Sequence, residues 1–143
     1  MAAYNKFNSF VADMANGVHN FASHTFKVCL TNSAPSASNT ILSNITQIAN
    51  ANGYTTGGAT LTLTSSAQTA GLYKYIATAA APTWTANTGN MGPFEYIVLY
   101  NSTAANGNLI GWWDYGSALT LNGLAGETFT FTPDPTNGIF QLQ

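Results

Sequence analysis

The stretch GPFEYIVLYNSTAANGNLIGWWDYGSALTL, residues 92–121, decides how this chain folds. Phe94–Tyr100 alternates in side-chain size but is apolar on both sides except at Glu95. That is the pattern of a central strand, or one covered on both faces. Leu109–Asp114 repeats the apolar grammar after an interval, Asn101–Asn108, that contains Asn106-Gly107. Asn-Gly favours the positive φ of tight turns, so the two runs read as a hairpin with a connection of moderate length. Ala118–Leu121 reads as a further short strand.

The same grammar extends outward. Phe26, Val28 and Leu30 alternate with Lys27, Cys29 and Thr31, and Leu61 and Leu63 alternate with Thr60, Thr62 and Thr64. Strands are expected at 26–31, 60–65, 72–78, 128–132 and 139–142, and Pro133 and Pro135 break the last two apart. Asn-Gly recurs at 16–17, 52–53, 122–123 and 137–138. Seven or eight short strands rich in β-branched and aromatic residues predict a mainly β domain. It is an antiparallel sandwich or barrel-like fold, with a jelly roll among the arrangements that the pattern allows.

Residues 4–18 break this rhythm. Phe7, Phe10, Val11, Met14 and Val18 recur at three, four, three and four, which predicts an N-terminal helix of about 4–18 that stops near Asn16-Gly17. Ile41, Ile45, Ile48 and Ala49 suggest a second short helix, although β-branched residues weaken it. Residues 32–40 and 50–60 read as loops. No internal repeat or domain boundary interrupts the chain, so one domain is expected over 1–143.

Composition narrows the function classes. Lys6, Lys27 and Lys74 are the three cations, against five carboxylates, so 6% of residues are charged where about 25% is ordinary. Isolated lysines make a poor phosphate-binding surface, and no nucleic-acid partner is expected. No apolar stretch approaches a membrane span and the N-terminal segment lacks a signal-peptide core, so no membrane partner is expected either. A neutral Thr/Asn surface can lie against another protein without desolvating many charges.

No motif points to catalysis or to a cofactor. His19 and His24 are five residues apart, which is not the spacing of a helical zinc pair, and they read as two partly exposed histidines beside a helix end. Asp13, Glu95, Asp114, Glu127 and Asp134 show no pairing that would mark a glycosidase. Cys29 reads as a small buried or half-buried filler. The densest constellation is Gly111-Trp112-Trp113-Asp114-Tyr115-Gly116. Adjacent tryptophans on a strand face opposite sides. One packs inward; the other is covered within the fold, meets another subunit, or offers a sugar-stacking platform, with Trp84, Tyr96 and Tyr100 as further aromatics. Asp114 is read as fixing the turn before Gly116. The candidate interface residues are Phe7, Phe10, Trp112, Trp113 and Tyr115.

Three stretches, 2–21, 26–58 and 92–121, resemble a family of small virion proteins encoded by tailed bacteriophages. The motifs that carry the resemblance are Lys27-Val28 with Leu30-Thr31-Asn32, Gly53-Tyr54-Thr55, and Leu109-Ile110 running into the Gly111–Gly116 segment. Asn16 and Asn20 make the segment around the helix more neutral than the family usually is. No catalytic residue comes with the resemblance. It implies a non-enzymatic capsid decoration or cement protein on the outer surface of the phage head, made in the host cytoplasm. Its implied partners are the major capsid protein and itself, as a homotrimer at three-fold positions. The alternatives are a head–tail connector, a tail or fibre-associated virion protein, or a carbohydrate-binding β-module.

Overall fold

The computed structural model describes residues 4–77 and 80–143. Ten strands are present among them: β1 (Tyr4–Lys6), β2 (Phe26–Thr31), β3 (Ala59–Leu61), β4 (Ser65–Thr69), β5 (Leu72–Ile76), β6 (Thr83–Thr85), β7 (Met91–Asn101), β8 (Leu109–Leu121), β9 (Thr128–Thr130) and β10 (Phe140–Leu142). One α-helix, α1, spans Ser9–Ala15, and a 3-10 turn spans Leu42–Asn44. The domain is therefore mainly β with a helix near its N-terminus. Every strand pair is antiparallel. The strands form sheets ordered β1-β8-β7-β2-β3, β10-β5-β4 and β6-β9. None of these sheets closes into a barrel.

The 92–121 hairpin is the spine of the large sheet. Val98 lies opposite Trp112 and Ile97 opposite Trp113, while β2 pairs along the other side from Phe26↔Asn101 to Thr31↔Tyr96. Alternation then sorts the side chains. Phe26, Val28, Leu30, Ile97 and Leu99 join Tyr75, Trp84 and Phe140 of the two smaller sheets in one buried cluster. Cys29, Val98, Tyr100 and Leu109 face the other way and meet Phe7 and Ile45 in a second. β7 is thus covered on both faces, as the two-sided apolar pattern of Phe94–Tyr100 predicts, and so is β2, whose sequence shows only an alternation with Lys27, Cys29 and Thr31.

The 32–57 segment adds Leu42 and Ile45 to that second cluster and closes the edge of β2 through specific bonds. Beyond β3, the exposed side of β2 is closed when Leu30 N–H donates to the Tyr54 hydroxyl at 3.2 Å and Leu30 O accepts from Ile48 N–H at 3.1 Å. Tyr54 donates onward to Gln47 Oε1 at 2.6 Å, and Tyr100 Oη donates to Gly57 O at 2.8 Å. Gly58, with φ +69°, lets the chain pass against β2, because a Cβ there would strike Val28 O and lie 2.7 Å from Cys29 Cα.

Several expectations need correction. The helix is Ser9–Ala15 instead of about 4–18. Tyr4–Lys6 is taken by a partner distant in sequence, the ladder with Trp113, Trp112 and Gly111. Gly111 is required there, since a Cβ would run into the Tyr4 ring and sit 2.6 Å from Asn5 O. The helix ends at Asn16-Gly17 as predicted, with Gly17 at φ +72°. The apolar stripe is only partly covered: Phe7 and Phe10 are buried, but Val11 is 55% exposed. The second helix shrinks to the 3-10 turn, because Ile41 bridges to Asn108 and Asn44 Oδ1 accepts from the Thr40 and Ile41 N–H groups. The expected strand at 60–65 divides into β3 and the start of β4, and Leu109–Asp114 and Ala118–Leu121 are one interrupted strand. Residue 78, the end of the strand expected at 72–78, lies outside the described residues.

The helix and the sheet ends meet in an aromatic cluster. Phe21 stacks on Phe26 at 4.6 Å and stands edge-on to Tyr75 and Phe140, and Phe10 meets Phe140 at 5.4 Å. Such ring pairs add about 0.5–1.5 kcal/mol each beyond the burial itself. Phe10→Ala should therefore lower the unfolding free energy by about 3–5 kcal/mol. Val11→Ala, on the exposed side of the same helix, should change it by about 0.5 kcal/mol or less. Urea denaturation of the two variants checks the contrast.

Candidate functional site

The Gly111–Gly116 segment divides its aromatics between three environments. Trp112 points to the second core cluster, is half-buried, and lies against Phe7 at a ring separation of 4.6 Å. Trp113 points to the first cluster, 5.3 Å from Tyr4 and 4.7 Å from Phe131, and is 5% exposed. Tyr115 is 50% exposed.

Strand register explains why Tyr115 stands out. Tyr96 lies opposite Asp114, and the next pair is Phe94 with Leu119. Between these pairs β7 has one residue, Glu95, while β8 has four, Tyr115 to Ala118. The extra residues bulge away from the sheet. Asp114 Oδ1 accepts the Gly116 N–H at 2.7 Å and Gly116 takes φ +89°, which fixes the bulge as a tight turn. Asp114 has the turn-forming role read from the sequence.

The bulge forms one wall of an aromatic slot. The buried Trp113 and Ile97 line it together with Tyr115, Phe129, Phe131 and Pro133. Its volume is about 160 Å³, and no lining residue is charged. An apolar cavity of about 150 Å³ can take up a benzene-sized group, so the slot suits a single aromatic or aliphatic side chain. Phe129 is held in place by Phe94 at 5.0 Å and Trp84 at 6.0 Å, and it meets Tyr115 edge-on at 6.1 Å. These contacts fix the slot's walls ahead of any ligand.

A second, mostly apolar depression is lined by Tyr4, which packs on Trp113, and by Lys6. It is a groove of about 370 Å³ between α1 and β10, where Val11, Met14 and Leu142 sit beside Tyr4 and Phe140. The groove includes Tyr4 and Lys6 of β1, an edge strand of the large sheet. Of the residues singled out from sequence, Tyr115 is available at the surface and Trp112 partly so. Phe7, Phe10 and Trp113 are consumed by packing within the chain, because the turn into α1 and the β1 ladder bring rings onto them. Sequence reading missed Phe129, Phe131 and Leu142 as site residues. Strands are expected there, at 128–132 and 139–142, but alternation does not show which distant residues those side chains meet.

Among the described residues there is no group of three or more His, Cys, Asp or Glu side chains that could hold a metal ion. His19 is buried, contrary to the partly exposed position expected, since Phe10, Phe21 and Phe26 surround it. Nor is Cys29 poised as a nucleophile: it is fully buried, and burial pushes its thiol up to about 12. No described helix is long and apolar enough to cross a membrane.

Two outcomes are expected. Native protein should not react with a disulfide dye such as Ellman's reagent, and unfolded protein should take up one equivalent per chain. Trp113→Ala should cost about 3–5 kcal/mol in stability, whereas Tyr115→Ala should cost about 1 kcal/mol or less, as measured by urea denaturation.

No family model matches the chain, and neither a curated protein nor a solved structure matches it.

Proposed function

We propose that this chain is a non-enzymatic virion structural protein that binds the outside of a tailed-phage head and reinforces it as a decoration or cement protein. The observation that carries this reading is the preformed, uncharged aromatic slot beside Tyr115 on a chain with 6% charged residues. Such a surface binds by shape and apolar area, at little cost in charge desolvation. The resemblance of the 2–21, 26–58 and 92–121 stretches to small virion proteins supports the same direction.

We read the large sheet under the two smaller ones as a sandwich-like arrangement, a rigid body suited to clamping. A side chain of the major capsid protein would enter the slot. The groove at Val11 and Leu142 would serve contacts between copies, a homotrimer being the arrangement that fits local three-fold positions. Weak single contacts become durable when many copies bind a repeating lattice. A sugar platform has less to stand on, since Trp113 is buried and Trp112 is half covered by Phe7.

Particles that lack the protein should release their DNA at lower temperature than complete ones. Added wild-type protein should restore the release temperature, while Tyr115→Ala, still folded, should restore it less. Placement of the chain only at the tail, in a few copies, would sink the decoration reading in favour of a connector or fibre-associated role. Glycan binding abolished by Tyr115→Ala, with particle stability unchanged, would favour the carbohydrate-binding module.

A further inference from the structure

The side chain of Asn101, at the end of β7, is fully buried. Its Oδ1 accepts the N–H groups of Thr103 at 3.0 Å and Ala104 at 3.2 Å. Those donors determine which end of the amide is oxygen. Nδ2 then faces three atoms: Val18 O at 3.2 Å, His19 Nδ1 at 3.1 Å and His24 Nδ1 at 2.9 Å. An amide nitrogen can only donate. Neither imidazole can then donate to it from Nδ1: His19 Nδ1 and His24 Nδ1, the latter also taking the Asn20 N–H at 3.4 Å, share the amide's two hydrogens with Val18 O as bare lone pairs, and each ring carries its hydrogen on Nε2. One buried amide ties the connection after α1 to the end of the central strand, and it does so only while the imidazoles accept.

We propose that this cluster is an acid-sensitive latch: a proton gained by His19 turns its Nδ1 from acceptor to donor, breaks the bond to Asn101, and releases the segment around residues 17–23 that carries Phe21. The freed segment would uncover part of the aromatic cluster formed with Phe26, Tyr75 and Phe140. The 24–25 end stays anchored, because Thr25 N–H donates to Thr103 Oγ1 at 2.9 Å and Thr25 O accepts from Ser102 N–H at 2.9 Å.

The charges around His19 set the direction. From α1, Asp13 Oδ2 lies 3.8 Å from His19 Nε2 and is itself held by Asn108 Nδ2 at 3.0 Å. From the connecting segment comes His24. The remaining sides are the uncharged rings of Phe10, Phe21 and Phe26. Asp13 favours a cation, but burial opposes it more strongly and His24 opposes it too, so the imidazole is held below its ordinary 6.5. His19 Nε2 has no hydrogen-bond partner, so the neutral ring has no second tie. A histidine with a depressed pKa contributes stability that is complete above about pH 6.5. That stability is lost as pH falls from there toward the folded-state value, by up to about tenfold in the opening equilibrium per pH unit.

Nuclear magnetic resonance on the full chain tests the latch. At pH 8 the imidazole nitrogen shifts should report the Nε2–H tautomer for His19 and His24. Below pH 6.5, after correction for intrinsic exchange, amide protection at Ala22, His24, Thr103 and Ala104 should fall by up to about tenfold per pH unit. Val98 and Trp112, in the sheet, should hold theirs. His19→Asn places a non-titrating acceptor oxygen where Nδ1 stood and should flatten the response, while Asp13→Asn should steepen it. An Nδ1–H tautomer of His19 at pH 8 would overturn the latch, as would an unchanged acid response in His19→Asn. The tautomer measurement needs only the wild-type chain, so it decides even if the variant does not fold.

Discussion

Burial of the central strands on both faces is the constraint on which the rest of the structure depends. From Ile97 to Asn101 every residue of β7 is buried, and the facing Val28–Thr31 of β2 are buried too. A two-sided apolar sheet must be covered twice, and its polar backbone must find partners wherever the covering layer ends a ladder. One face is met by the two small sheets and α1. The other is met by Phe7 and by Leu42 and Ile45 from residues 32–57, a stretch in which the sequence suggests loops and a short helix and the structure holds a 3-10 turn. Its hydroxyls and amides, Tyr54, Gln47 and Asn44, are what let irregular chain lie on a buried sheet.

Scarcity of charge shapes how this is achieved. Asp and Asn side chains instead organise the turns by accepting the N–H two residues ahead: Asn20 from Ala22, Asn101 from Thr103, Asp114 from Gly116, Asn122 from Leu124 and Asp134 from Thr136. These local bonds need no counter-ion and survive high salt. Two of them do more than turn the chain. Asp114 lifts Tyr115 clear of the sheet, and Asn101 uses the other end of its amide to hold His19 and His24. A side chain that shapes a turn at one end is thereby committed to a surface feature or a buried network at the other.

The Tyr4–Trp113 pair links the core to the surface in a similar way. Trp113 packs against Tyr4 and Phe131; Trp113 also lines the slot and Tyr4 the groove, so each depression sets buried rings, Trp113 in one and Phe10 in the other, beside exposed side chains. Such buried rings suit a binding face which works by complementarity, because they have little ordering cost left to meet on association.

The sequence by itself determined the strands with enough residues to show a period. The 92–121 hairpin with the two-sided burial of Phe94–Tyr100, the 26–31 strand, the stop at Asn16-Gly17 and the turn at Asp114-Tyr115-Gly116 all follow from alternation and turn chemistry. Tertiary structure alone decided the rest. Tyr4–Lys6 follows a helical spacing of aromatics, yet it is a strand because Gly111 leaves room for it on β8, a partner more than a hundred residues away. β6, only three residues long, shows no readable period and exists because β9 pairs with it, while the strands expected at 128–132 and 139–142 are trimmed to the residues that β6 and β5 pair with. The slot shares that origin: Trp113 and Tyr115 are visible as a motif, but Phe129, Phe131 and Pro133 join its lining only when β9 folds back beside the bulge. The reach of His19 toward Asn101 likewise spans 82 residues, a separation at which no local pattern records the contact.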